Sequence, residues 1–206
     1  MFAVLKNSIK MILPIVAYGD PVLRKKGMEI PEDYPDLQDL ISNMYETMYE
    51  AHGVGLAAPQ IGLAIRLFVI DAEPFADDPE LTKEEQDFLK NFKQTFINAQ
   101  IIEENGDEWN FSEGCLSIPN IREDVSRKPE ITIRYQDESF EVHTKTFSGI
   151  AARVIQHEYD HIEGVLFTDK LSPLKKRLLK GKLSNISKGK TQVDYRMKFP
   201  MASKKR

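Results

Sequence analysis

The chain has 206 residues, 41% of them apolar and 29% charged, with a formal net charge of −4 and a single cysteine, Cys115. That length suits one domain with a sizeable core, and the composition excludes wholesale disorder, collagen-like repeats and a membrane-spanning fold. One cysteine excludes an internal disulfide, so nothing points to an oxidising compartment.

The N-terminal stretch carries Lys6, Ser8 and Lys10 before a short apolar run broken by Pro14. That run is too short for a signal-peptide core and has no small-residue cleavage site behind it, so a cytoplasmic protein is expected. Asp33 and Pro35 lead into Leu37, Leu40, Ile41, Met44, Met48 and Ala51, apolar residues at helical spacing stopped by Gly53. RLFVID (66–71) and TFINAQIIEE (95–104) are rich in branched and aromatic residues and predict strands. Between them lies an acidic excursion, 73–92, in which Thr82 and Glu85 form a capping box and Phe88, Leu89 and Phe92 share a helical face.

Ile131, Ile133 and Tyr135, then Phe140, Val142 and Thr144 after a turn at Asp137 and Glu138, predict a hairpin, with His143 on its outward phase. Ser148 is expected to cap a helix running to about Ile162 and stopped by Gly164. Its residues Ile150, Ala151, Ala152, Val154, Ile155 and Ile162 make it apolar almost all round, which places it in the core. A last helix is capped by Ser172, has Pro173 in its first turn, places Leu174, Leu178, Leu179 and Ile186 along one side, and ends by Gly189. From Ser172 onward twelve Lys or Arg face one acid, Asp194. The expected class is α+β, mainly antiparallel sheets packed around a buried central helix, with a C-terminal helix. The expected organisation is an N-terminal extension (1–10), one catalytic domain (11–189) and a basic, flexible tail (190–206).

The chemistry centres on HEYDH, His157 to His161, on the buried helix. At 3.6 residues per turn the two histidines lie about 40° apart in azimuth and about 6 Å apart along the axis, so both imidazoles reach one ion. Glu158 projects from a neighbouring angle, where it touches a water on the ion without being a ligand, as a general base requires. Two core histidines serving structure alone would leave three adjacent polar groups unexplained in a helix of Ile, Val and Ala. A catalytic ion needs a third protein ligand. The downstream position that carries a histidine in metzincin-type peptidases holds Phe167, and after Asp169 the only acid is Asp194. Upstream, His143 points outward and His52 is explained by a helix C-terminus. Cys115, in EGCLSIP (113–119), an irregular stretch between the predicted strands, is the best candidate. A buried small hydrophobe and a thiol nucleophile are its other readings, and the HExxH that lacks a ligand weighs against both. In GVGLAAPQIG (53–62), Gly55 permits close backbone approach and Gln60 offers an amide N–H to a developing oxyanion, though a small-residue turn with a surface Gln reads the same way.

Together GVGLAAPQ, EGCLS and HEYDH, in that order, resemble the peptide deformylases, whose signature is GxGxAAxQ, EGCLS and HExDH. The likeness extends from about Met11 to Pro173. It implies a metallohydrolase that removes the formyl group from the N-terminal methionine of newly made proteins and releases formate. By motif position it implies Cys115, His157 and His161 as metal ligands, Glu158 as base and then acid, and Gln60 with the Leu116 backbone N–H as oxyanion donors. It further implies that Gly55 contacts the substrate backbone, that Val54, Ile150 and Val154 help line a methionine pocket, that Arg122 borders the groove, and that Arg127 pairs with Asp160 to brace the ligands. One divalent ion per chain is implied, Fe²⁺ natively, with Zn²⁺ or another ion as an alternative.

Two rival readings are a zinc peptidase, which lacks its downstream ligand here, and a noncatalytic ribosome-binding protein with a structural metal, which would have no use for Glu158. The partners expected are N-formyl-methionyl nascent peptides and, through the basic C-terminal helix, the ribosome, with no DNA and no membrane partner. Removing everything after Lys170 is expected to spare the metal site and the hydrolysis of short peptides if folding survives.

Overall fold

The computed structural model describes residues 10–201. Of the expected extension only Lys10 falls in that range, and Lys204, Lys205 and Arg206 lie outside it.

The first strand, β1, is Ile15–Val16, and the first long helix, α1, is Leu37–Glu50. Then come β2 (Gly55–Ala57), β3 (Leu67–Asp71), α2 (Lys83–Lys90) and β4 (Lys93–Asn105). A long hairpin, β5 (Trp109–Cys115) with β6 (Ile118–Arg127), precedes a second, β7 (Glu130–Gln136) with β8 (Val142–Ser148). The chain continues through α3 (Gly149–Ile162) and α4 (Pro173–Ser187) to β9 (Met197–Lys198). Five strands form an antiparallel sheet in the order β2-β3-β4-β7-β8, the β5–β6 hairpin stands apart, and β1 pairs in parallel with β9. The class is α+β with antiparallel sheet, as composition and patterning predict.

Strand periodicity explains why RLFVID is apolar at successive positions. Phe68 and Ile70 face a core shared with Ala151, Ala152 and Ile155 of α3, while Leu67 and Val69 face a second core shared with Ile41, Met44 and Met48 of α1. Helices therefore cover both faces at β3. On the α3 side Phe68 stacks on its cross-strand partner Phe96 with ring centroids 4.7 Å apart. Truncating such a core aromatic to alanine costs about 3–5 kcal/mol.

Several expectations need correction. EGCLSIP is the tip of the β5–β6 hairpin and not an irregular stretch: Glu113 and Cys115 follow Trp109 and Phe111 on one strand phase, and a buried acid breaks the apolar alternation that would have marked the strand. Ser148 occupies the N-cap position of α3, but its side chain makes no capping hydrogen bond. Phe140 belongs to the β7–β8 turn, with φ of 61°, and not to the strand. On α4 the buried stripe is Leu179, Leu183 and Ile186, whereas Leu174 and Leu178 are 66% and 70% exposed. At about 100° per residue those two lie roughly 100–140° off the stripe.

The largest correction concerns the expected tail. Residues 190–201 are packed against the body. Ile15 N–H donates to Arg196 O at 2.9 Å and Ala17 N–H to Lys198 O at 2.9 Å, while Met197 and Phe199 pack on the core beneath the β5–β6 hairpin. Truncation after Lys170 would therefore remove a structural edge as well as charge.

Candidate active site and metal centre

α3 and the β5–β6 hairpin bring the signature residues together. His157 and His161 lie one turn apart with ring centroids 5.2 Å apart, and Cys115, at the end of β5, places Sγ 3.3 Å from His161 Nε2. Ligand atoms of Cys115, His157 and His161 all lie within 4.8 Å of one another. Tetrahedral coordination at about 2.0–2.3 Å from nitrogen and sulfur sets such atoms roughly 3.4–3.6 Å apart, so the trio needs little adjustment to hold an ion. A soft thiolate with two imidazoles is a transition-metal donor set, and three protein ligands leave a coordination position open. Burial holds the His161 pKa well below its ordinary value, keeping the imidazole neutral as a ligand must be.

Glu158 faces the opposite wall. A Cβ added at Gly55 would stand 2.7 Å from Glu158 Cδ, so only glycine lets β2 lie against this carboxylate. The side chain is buried and its Oε2 has no hydrogen-bond partner among the described residues. A buried oxygen without a partner is expensive in a folded protein and marks a position for water or substrate. Burial pushes the carboxyl up to about 7, against the opposing influence of His157.

Gln60 is buried in the short helical turn that follows β2. Its Oε1 accepts from Ala57 N–H at 2.8 Å, which turns Nε2 toward the site, 3.5 Å from Cys115 Sγ and 3.4 Å from Ser117 Oγ. Leu116 occupies the two-residue turn between β5 and β6. Val54, Gly55, Leu116, Arg122 and Val154 line an open cleft of about 1170 Å³ above these groups. Ile150 is the exception among the expected pocket residues. It lies one turn before Val154 and is buried in the α3 core, not at the cleft surface.

The expected Arg127–Asp160 pair is present, Nη1 to Oδ2 at 2.6 Å. Sequence reading missed the group that organises it. Glu113 accepts from Arg127 Nε at 2.7 Å and Nη2 at 2.9 Å, from Arg153 Nη1 at 3.1 Å, and bonds His157 Nδ1 at 2.9 Å. That last bond leaves His157 Nε2 free for an ion. Burial works against the Glu113 carboxylate, but the hydrogen bonds from Arg127 and His157 outweigh it and hold the pKa well below the usual carboxylate range. Sequence reading also missed Phe75 of the acidic excursion, Phe111 of β5 and the segment Thr191–Tyr195, all of which line the cleft. His52 lines the cleft but is not among the three converging ligand residues, and His143 bonds Asp137 at 2.7 Å at the β7–β8 turn.

Fold and site together define a metal-dependent hydrolase. The polypeptide deformylase family model matches residues 12–177. The chain is 67% identical to the peptide deformylase of Christiangramia forsetii, over 95% of this chain and 100% of that protein, and 66% identical to that of Flavobacterium johnsoniae with the same coverage. Among solved structures, the peptide deformylase of Legionella pneumophila superposes with a TM-score of 0.73 at 36% identity, covering 87% of this chain and 98% of that one. That of Thermotoga maritima gives 0.68 at 37% identity, covering 79% and 99%. The chain belongs to the polypeptide deformylase family, enzymes that remove the formyl group from the N-terminal methionine of newly synthesised proteins.

Proposed function

We propose that Cys115, His157 and His161 hold the one divalent ion of this deformylase and that Glu158 moves the proton in the reaction. The observation that carries this reading is the convergence of three ligand atoms within 4.8 Å beside a buried carboxylate whose Oε2 has no partner among the described residues. When bound, the ion supplies Lewis acidity and lowers the pKa of water to near 7. Glu158 takes the proton of the attacking water and returns it to the leaving α-amine, so that formate and a free N-terminus result. Gln60 Nε2 and the Leu116 N–H donate to the oxygen of the formyl group as it becomes an oxyanion, and removing one such donor costs about 2.7–4 kcal/mol of barrier. Val54 and Val154, with Phe75 and Phe111, offer the apolar wall that the methionine side chain requires, Gly55 approaches the peptide backbone, and Arg122 borders the groove, its Nη2 held by Ser112 O at 2.6 Å.

Fe²⁺ is the ion proposed natively, and Zn²⁺ would bind the same donors more tightly by the Irving–Williams order. Formate release from a formyl-methionyl peptide, with metal analysis of the same anaerobically prepared sample, tests the reading. Turnover without a stoichiometric ion, or an ion retained undiminished in Cys115→Ser, would remove the centre proposed here.

A second reading concerns where the enzyme works. α4 exposes Lys176, Arg177, Lys180 and Lys182 with Leu174 and Leu178, and its buried stripe holds it to the body. The surface suits RNA phosphates at the ribosome, where formylated chains emerge, and hence a cytoplasmic enzyme. No helix among the described residues is long and apolar enough to cross a membrane. Neutralising these four cations while keeping Leu179, Leu183 and Ile186 should weaken ribosome association at low salt. Unchanged affinity across a salt series would return α4 to a solvated face.

A further inference from the structure

The turn that carries Leu116 is the weakest point of the β5–β6 ladder. Gly114 pairs with Arg122 but Cys115 pairs with Ile118, so residues 119–121 bulge out of register, and Asn120 takes φ of 62°. Ladder hydrogen bonds do not fix such a turn by themselves. Its ties come from outside the hairpin. Tyr18 N–H donates to Ser117 O at 2.8 Å, Gln60 Nε2 lies 3.4 Å from Ser117 Oγ, and Tyr195 Oη donates to Leu116 O at 2.7 Å. The bulge is tied to the same C-terminal segment, a strap formed by residues 190–201, since Asn120 Nδ2 donates to Gln192 O at 3.0 Å and to Thr191 Oγ1 at 3.3 Å.

Tyr195 is itself braced from behind. Pairing of β9 with β1 begins two residues further on, and Met201 N–H donates to Ser187 O at 3.0 Å, returning the strap to the end of α4. Burial raises the phenol above its ordinary pKa, so the hydroxyl stays a donor at working pH. Tyr195, β9 and Met201 lie beyond residue 177, where the family match ends.

We propose that Tyr195 is a positioning residue for deformylation: by holding the Leu116 carbonyl it sets the turn whose Leu116 N–H must meet the developing oxyanion. The inference rests on the reading of that N–H as a donor. Misplacing a reacting contact by about 1 Å can cost about 100-fold, and loss of a whole donor costs about 100- to 1000-fold. Loosening one of several ties should cost less, about tenfold in kcat.

The test is Tyr195→Phe in the metal-loaded full chain, which removes the hydroxyl and keeps the ring. Expected are a roughly tenfold lower kcat on a formyl-methionyl peptide, KM within about twofold, unchanged metal content, and faster hydrogen–deuterium exchange of the backbone amides from Gly114 to Ser117. A merely structural tyrosine would lower the thermal midpoint while leaving kcat per folded enzyme and local exchange alone, and that result overturns the proposal, as does loss of the ion. A second variant separates this idea from the one beneath it. Replacing Leu116 by its α-hydroxy-acid counterpart gives an ester with no N–H. If the ester slows turnover and Tyr195→Phe does not, the donor stands and the role of Tyr195 falls. If the ester leaves kcat unchanged, the donor reading falls and takes this role with it. Slowing by both, with little further loss when they are combined, supports the proposal.

Discussion

Glu113 and Glu158 are both buried where α3 meets the β5–β6 hairpin, and their surroundings drive them in opposite directions. Among the described residues Glu158 Oε2 has no partner, and burial lifts the carboxyl to about 7, where proton transfer in both directions is efficient. Glu158→Ala should lower kcat by about 100- to 10,000-fold, the usual range for a general acid–base group, while metal analysis still finds one ion per chain. Glu113 is held ionised by Arg127 and His157. Because its pKa falls on folding, its contribution is complete above the unfolded value of about 4.3 and is lost as pH drops through that value toward the folded one. Glu113→Gln should therefore be less stable at pH 7, by about 3–5 kcal/mol, because buried Arg127 keeps only Asp160 as a carboxylate partner and buried Arg153 keeps only backbone carbonyls. It should also lose less stability than the wild type between pH 5 and pH 3 in urea titrations. Equal pH slopes would place the ionisation elsewhere. The HEYDH spacing is legible because helix geometry converts it into positions without knowledge of the fold. Glu113 was not, since its partners stand 14, 40 and 44 residues away and only the packed hairpin brings them together.

Among the elements, α1, α3 and the β7–β8 hairpin follow from periodicity because each presents an apolar face to one core. The β5–β6 hairpin was obscured by the ionic groups it buries, and the C-terminal strap was obscured by its charge. Yet Thr191, Val193, Tyr195, Met197 and Phe199 are half-buried while Gln192, Asp194, Arg196 and Lys198 are exposed, a period-2 alternation visible in the sequence beneath the lysines. Truncation after Lys190 should accordingly destabilise the enzyme by about 2–4 kcal/mol through lost apolar burial and backbone hydrogen bonds. Chemical denaturation measures this, and a stability equal to the full chain would restore the view of a dispensable tail.

At the scale of the whole molecule, the proposed metal site joins a core helix to a hairpin that lies outside the five-stranded sheet, so an ion bound there would clamp two parts of the fold. A ligand at about 1,000 times its dissociation constant stabilises by about 4.1 kcal/mol, and chelation should lower the thermal midpoint accordingly. The same shift should persist in Glu158→Ala, where the ligands are intact. It should shrink sharply in Cys115→Ser, and an equal shift in both variants would exclude the thiolate from the clamp.

The parallel pair of Ile15 with Met197 and Val16 with Lys198 joins the two ends of the described chain. Synthesis delivers β1 well before β9, so on the ribosome β1 waits for its partner while the sheet, α3 and α4 are made. Closing so long a loop adds little entropy cost beyond that of a shorter one, because the cost grows only with the logarithm of length, but it fixes the order of events. The wall that ties down the Leu116 turn arrives after every element it leans on. An enzyme that trims other nascent chains would itself reach full competence only once its own residues 190–201 have followed α4 out and closed on β1.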